Sequence, residues 1–524
     1  MGNATPQTAE PSALDPALIS GLTRRVQSSS GATATTEAPF TGKPLAELPL
    51  STAGDVATAF ERARAARAGW AERTPAERAA VFLRFHDLVL DRQTEILDIV
   101  QWETGKARRH AFEEVYDAAA GPLHYARRAP ALLRRRRVPG AIPGATRSYV
   151  NHQAKGAVSV ITPWNYPLSL PVSDAVPALL AGNAVVAKPD TQTALTALWA
   201  IDLAVEAGLP EDLWIPVLGD PAEIGDPLVD LADYVAFTGS TRAGAQIAQR
   251  AAARLIGCSA ELGGKNPMIV CDDADVERTV EGAIRSCFSN AGQLCISTER
   301  MYVHDAVYDE FVPRFAEAVS AMRLGTSFDY APDMGSLTYR RQLDRVVQHV
   351  DDARAKGAEI LAGGRARPDI GPLFYEPTLM TGVDPDMSAC AEETFGPLVS
   401  IYRYSDDDEA IELANATEYG LNASVWTRDT GRGRRIAERI RSGTVNVNEG
   451  FAAAWASYGG PMGGMKKSGL GRRHGDEGLL RFTEPQTIAS QHIIGFGGPP
   501  GMDYERLAGL MTTGARLMKR FRIR

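Results

Sequence analysis

Cysteine is scarce in this chain: five among 524 residues, at positions 258, 271, 287, 295 and 390, with no CxxC pair and no histidine beside them at metal-ligand spacing. That pattern excludes a zinc ribbon and a disulfide framework, so no metal is expected and a reducing compartment is implied. Long apolar runs are also missing, and none approaches the roughly 20 residues a membrane-spanning helix needs. Net positive charge is absent; the formal charge is -8, which provides no overall basic field for nucleic acid or an anionic membrane. The basic run Arg134 to Arg137, following Arg127 and Arg128, has no interleaved aromatics and reads as a solvated or subunit-facing helix end, not a nucleic-acid site. Residues 1–39 are rich in Ala, Thr, Ser and Pro and lack an apolar targeting segment, so they read as a disordered tail on a cytoplasmic protein.

What the sequence does contain is alternation. GAVSVIT, NAVVAKP, ADYVAFTGS and GCSAELGG are short apolar runs bounded by Gly, Pro or Asn, with helix-period stretches between them such as SDAVPALLAG and TALTALWAIDLAVEAG. Strand, helix, strand, helix predicts an α/β fold with a doubly wound parallel sheet, whose ligands sit at the carboxyl edge. A second α/β block starts near Asn266, where NPMIV reads as a strand and DADVERTVEGAIRSCFSNAG as a helix stopped by Gly292. Residues 55–130 are strongly helical in composition, and 141–154 read as an extended arm.

Three groups then stand out. Cys295 lies in FSNAGQLCIS, just past a predicted helix end; Glu261 lies in ELGGKNP; Asn165 lies in PWNYP. A thiol, a carboxylate and an amide are what is needed to attack a carbonyl, hold its oxyanion and hydrolyse the resulting thioester. Each has a plainer reading: Cys295 as buried packing, Asn165 as a cap for the helix near Ser169, Glu261 as a cap for the next helix. The other four cysteines read as inert packing. FTGSTRAG, with Gly239 and Ser240 between strand and helix, suits a pyrophosphate on helix N-terminal N–H groups without matching the GxGxxG fingerprint.

PWNYP, KPD, FTGST, ELGGKNP, NAGQLC, EETFGP, SGTVNVN, PMGGMKKSGLGR and FTEPQT occur in that order. From about Phe40 to Ile488 the chain resembles the aldehyde dehydrogenases, and SAELGGKNPMIV, RPDIGPLFYEPT and GRRHGDEGLL are most similar to the type 2 succinate-semialdehyde branch. The resemblance implies a Rossmann-like cofactor domain (40–143 and 155–263), a catalytic α/β domain (264–459) and an oligomerisation arm (144–154 with 482–493). Residues 494–524 follow as a C-terminal extension, and a homodimer or homotetramer is expected. By the same resemblance Cys295 is the nucleophile, Glu261 the base for hydrolysis and Asn165 an oxyanion donor. Trp164, Asn165, Lys188, Thr191, Gly239, Ser240, Leu262, Glu393 and Phe395 should meet the dinucleotide, although Glu393 alone also reads as an ordinary surface acid. Thr191 stands where NAD-preferring members commonly carry a glutamate, so NADP is expected, with NAD as the alternative.

For substrate, the resemblance points to succinate semialdehyde oxidised to succinate. Yet two positions where type 1 enzymes grip the distal carboxylate with arginine hold Ser173 and Ser289 here, leaving Arg285, Arg300 or the hydroxyls to compensate. Tyr166, Phe451 and Trp455, with Tyr458, would suit an apolar or aromatic aldehyde, or form a subunit contact. The alternatives are therefore a broad aldehyde dehydrogenase preferring NAD and, from another class, a non-catalytic dinucleotide-binding protein. The last segment, MDYERLAGLMTTGARLMKRFRIR, has apolar residues at helical spacing and a basic end. It reads as a solvated or subunit-docked helix, with membrane-surface contact as the alternative.

Overall fold

β-Branched and small apolar residues, bounded by Gly, Pro and Asn, form the strands of two sheets whose edges face each other. The computed structural model describes residues 13–142, 145–492, 495 and 497–522. The first sheet has six strands, in the order Gly469–Leu470, Gly257–Glu261, Tyr234–Thr238, Ala157–Ile161, Ala184–Lys188 and Trp214–Pro216, parallel except for the first pair. Helices on both faces bury Val158, Val160, Val185, Val235 and their neighbours in one large core, as a doubly wound sheet requires. Its register sets Ile161 beside both Lys188 and Phe237, and Thr238 beside Glu261, so these residues share the carboxyl edge.

The second sheet has seven strands: Glu359–Ala362, Thr378–Thr381, Leu398–Tyr404, Thr298–His304, Asn266–Val270, Asn422–Trp426 and Thr444–Val447. Only its first pair is antiparallel. Asn266 pairs with Thr298, and Asn422 with Thr444, which puts all four at one amino edge. A third sheet joins Thr483–Gln491 to Thr146–Ala154 and Arg136–Val138, all antiparallel. Residues 144 and 493, which bound the expected arm, lie outside the described residues.

Two expectations need correction. The tail expected over residues 1–39 is folded wherever it is described, residues 1–12 lying outside the described set. Helix Pro16–Thr23 is capped by Asp15. Strand Thr33–Ala38 pairs with Lys43–Pro49. The polar composition concealed Leu18, Leu22 and Val26, which recur every four residues and pack onto the core around Leu203 and Ile215. The basic tetrad is not a helix end. Helix Arg108–Leu132 stops before it, and Arg136 and Arg137 belong to an edge strand whose side chains are exposed.

Candidate active site

The loop carrying Cys295 is held from several sides. Helix Val276–Phe288, capped by Asp275, ends at Phe288 and does not run on to Gly292. A single 3-10 turn follows, in which Asn290 and Ala291 adopt left-handed backbone with φ of 51° and 54°. Gly292 has φ of +70°, and a Cβ there would lie 2.1 Å from the Gly396 carbonyl oxygen, so the turn requires glycine. Asn290 Nδ2 donates to the carbonyls of Asn165 (3.0 Å) and Gln293 (3.1 Å), and Gln293 Oε1 accepts from Thr338 N at 3.0 Å. Asn266 Nδ2 donates to the carbonyls of Cys295 (2.8 Å) and Ser297 (2.7 Å). Ser297 Oγ is turned away, donating to the carbonyls of Ser286 and Cys287.

Asn165 follows the strand Ala157–Ile161 on the opposing sheet. Lys106 Nζ, buried and paired with Glu114 at 2.5 Å, donates to the Asn165 carbonyl at 2.6 Å. Asn165 Nδ2 donates to Gln293 O at 3.0 Å, leaving its second N–H for the cavity it lines. It does not cap the following helix, because Glu114 accepts from the N–H groups of Leu168 and Ser169 there. Glu261 ends its strand, buried, with Oε1 lacking any hydrogen-bond partner. Burial pushes its carboxyl up to about 7, against the pull of Arg473, Arg481 and Arg472 and with a further push from Asp174.

Two clefts meet at these residues. One, of about 670 Å³ including its open mouth, is lined by Tyr166, Ser173, Leu294, Ile296, Phe451 and Trp455 together with Asn165, Glu261 and Cys295. The other, of about 700 Å³, is lined by Trp164, Gly239, Ser240, Gly263, Glu393 and Phe395, and shares Asn165, Glu261, Leu262 and Cys295 with the first. Cys295 thus sits where the two join. Burial pushes its thiol up to about 12, aided by the charges of Glu393 and Glu261; Arg473 and its own backbone N–H work the other way. Burial also raises the thiols of Cys258, Cys271 and Cys287, so position rather than acidity distinguishes Cys295.

The second cleft has the features of a dinucleotide site. Ser240 caps the helix Thr241–Ala253 by accepting from Ala243 N. Glu393 Oε1 accepts from Gly264 N at 2.8 Å, and a Cβ on Gly263 would lie 2.2 Å from Glu393 Oε2, so the carboxylate and this backbone segment require each other. Burial pushes Glu393 up to about 7, so it is no ordinary surface acid. Trp164 and Phe395 pack edge to face, with ring centroids 5.6 Å apart. Lys188 and Thr191 lie outside the lining of this cleft. Lys188 is nonetheless buried at the carboxyl edge, and among the described residues its Nζ makes only a 3.4 Å bond to the Pro189 carbonyl and no ion pair. A buried ammonium so placed fits a ligand carrying hydroxyls or phosphate.

The structure separates the proposed substrate contacts. Tyr166, Ser173, Phe451 and Trp455 line the first cleft, whereas Ser289 does not; its buried Oγ has no partner. Arg300 cannot reach a substrate, because its guanidinium is used by the carbonyls of Lys265, Leu413 and Ala414. Arg285 lies outside the lining of the first cleft, 3.8 Å from Glu113 and 5.5 Å from the centre of the Phe451 ring, both of which line it. Tyr458 donates to Asp117 at 2.8 Å, so within this chain it braces the cleft wall.

Three charged lining residues were not anticipated from the sequence: Glu113, Asp117 and Arg473. The first two lie four apart on one face of helix Arg108–Leu132, a spacing visible in EEVYD. Burial pushes them up to about 7 and about 6. Arg473 comes from GRRHGDEGLL, where the doubled arginine was the available signal. It is buried and binds both oxygens of Asp174 (3.0 and 2.6 Å) and Thr238 Oγ1 (2.8 Å).

A family model described as "Aldehyde dehydrogenase family" matches residues 26–488. A protein of Mycobacterium tuberculosis named "Putative succinate-semialdehyde dehydrogenase (NADP(+)) 2" is 54% identical over 470 residues, covering 90% of this chain and 91% of that protein. A 3-sulfolactaldehyde dehydrogenase of Pseudomonas putida is 37% identical, covering 89% and 95%. Among solved structures, an Escherichia coli NADP-dependent enzyme superposes with a TM-score of 0.86 at 33% identity, covering 92% of this chain and all of that one.

Proposed function

This chain belongs to the aldehyde dehydrogenase family, and we propose that it oxidises succinate semialdehyde to succinate with NADP, through a thioester on Cys295. The observation that carries this reading is that Cys295, Glu261 and Asn165 line both clefts at their junction. Bound NADP supplies the hydride acceptor. Trp164, Gly239, Ser240, Leu262, Glu393 and Phe395 would hold it along the second cleft, and Lys188 and Thr191, outside that lining, would meet its adenosine part. The relative's NADP-specific name supports that choice, as does the absence of a carboxylate at Thr191, which would repel a 2′-phosphate.

The residues divide the work as follows. The Cys295 thiol gives up its proton to water, its sulfur bonds to the aldehyde carbon as the carbon–oxygen double bond opens, and Asn165 Nδ2 and the Cys295 backbone N–H donate to the oxygen that becomes negative. The carbon–hydrogen bond then breaks, its electron pair leaving as hydride, and a thioester remains. Glu261 takes a proton from water, the water oxygen bonds to the acyl carbon, and the carbon–sulfur bond breaks to release the acid. A carboxyl near 7 is ionised enough at neutral pH to act as that base. Arg473 positions and charges this end of the cleft, favouring the ionised forms of Glu261 and Cys295.

In this reading residues 40–143 with 155–263 form the cofactor domain and 264–459 the catalytic domain. Residues 144–154 with 482–493 form the arm of a homo-oligomer. Arg285, beside the lining residues Glu113 and Phe451, is the proposed cation for the distal carboxylate. A second reading, a broad dehydrogenase of uncharged aldehydes, draws on Leu294, Ile296, Phe451 and Trp455, which make most of the wall apolar. The deciding experiment compares kcat/KM for succinate semialdehyde, hexanal and benzaldehyde with NADP and with NAD. Preference for succinate semialdehyde that is lost in Arg285→Leu supports the first reading; preference for hexanal or benzaldehyde in the unaltered enzyme replaces it with the second.

A further inference from the structure

The helix Tyr504–Phe521 has no part in either cleft and begins beyond the family match, which ends at residue 488. At 100° per residue, Leu507, Leu510, Met511, Leu517, Met518 and Phe521 fall within one arc of about 120°. The rest of the circumference carries Arg506, Arg516, Lys519 and Arg520, with Arg522 at the C-cap, against the acid Glu505 and the N-cap Asp503. Arg506 borders the apolar stripe beside Leu517, where a long side chain can reach past it to an anionic surface.

Within the chain this stripe is largely uncovered. Leu507 alone is buried, against the turn formed by Gly498 and Met502. Leu510, Met511, Leu517 and Phe521 are 44–63% exposed, and Tyr504 is 75% exposed. Among the described residues no hydrogen bond or ion pair ties the helix side chains to the two large sheets. No described helix is long and apolar enough to cross a membrane, so a helix of this composition is suited to lie in an interface plane.

We propose that Tyr504–Phe521 docks this enzyme onto an anionic lipid surface, its apolar stripe entering the acyl boundary and its cations meeting the headgroups. Charge complementarity selects this occupant. The chain as a whole is acidic at -8, so a helix with four cations and a fifth at its C-cap concentrates the opposite charge in a segment that also exposes a continuous apolar face. Anionic lipid answers both features at once. A second copy of the helix would answer only the apolar one, and would bring like charges together.

The test is co-sedimentation of the full-length protein with phosphatidylglycerol vesicles and with phosphatidylcholine vesicles, at low salt and at high salt. Binding to the anionic vesicles about tenfold or more above the neutral ones, weakened by salt, is expected. The double variant Leu510→Asp, Leu517→Asp should lose that binding and keep dehydrogenase activity in solution. Static light scattering of a chain ending at residue 503 supplies the other arm. Unchanged mass together with lost vesicle binding supports the proposal; a smaller assembly shows that the helix docks on a second copy and overturns it. Equal retention on both vesicle types, or on neither, also overturns it.

Discussion

The two sides of the catalytic junction are built differently. Cys295 stands at the amino edge of the seven-stranded sheet on a loop whose carbonyls and side chains are held by Asn266, Asn290, Gln293 and Asn422. Glu261 stands at the carboxyl edge of the six-stranded sheet with a buried oxygen that nothing binds. The proposed nucleophile would have to meet one carbon at one angle, which suits a loop pinned by short bonds. The proposed base would have to take a proton from water and give it up again, which suits a carboxyl tuned by burial and by the field of Arg473, Arg481 and Arg472. Position is fixed on one side and proton affinity on the other.

The largest effect should come from the pinned side. Cys295→Ala should lower turnover by ~10⁵-fold or more, with dinucleotide affinity, measured by fluorescence titration, left nearly intact. On the free side, Glu261→Gln should lower steady-state rate by about 10²–10⁴-fold. Stopped-flow should show a single-turnover burst of reduced cofactor followed by a stall at the acyl-enzyme. Sustained turnover without that stall would mean another group serves as base, and the contrast between the two sides would fail. Asn165→Ala should cost about 10²–10³-fold in kcat, with KM little changed, as loss of one oxyanion donor does.

The smallest and most discriminating change is Arg473→Gln. Glu261 sits near 7 in the native protein, and the base works only when ionised, so the hydrolysis rate falls as pH drops through that value. Arg473, Arg481 and Arg472 lower this carboxyl while burial and Asp174 raise it, so removing one cation should move the acid limb of kcat to higher pH, by about one unit. Arg473→Lys should restore the limb. A drop in rate with an unmoved limb would assign Arg473 a packing role only.

Much of this site could be read along the chain. Cys295, Glu261 and Asn165 stand in short runs whose neighbours are Gly, Pro and Asn, residues that a turn at a sheet edge demands. The strand that ends on Glu261 and the strand Ala157–Ile161 that precedes Asn165 were visible as short apolar runs. The folded segment from Pro16 to Ala38 was not, because Ala, Thr and Ser dominate its composition while the few apolar residues that anchor it are sparse. Thr191 and Lys188 were correctly placed near a strand end, yet the sequence could not tell that they fall outside the cleft shared with Cys295.

The sequence by itself determined the groups on which the proposed chemistry rests: a thiol and an amide on turns next to short buried strands and a carboxylate at a strand end, because those local patterns depend on residues a few positions apart. Tertiary structure alone decided which charges surround them. Glu113, Asp117 and Arg473 reach the cleft from segments more than 350 residues apart at the extremes, whereas Arg300, close to Cys295 in the chain, is spent on backbone carbonyls. Electrostatic fields act through space at a few ångströms, and only the packing of the two sheets against helix Arg108–Leu132 sets those distances.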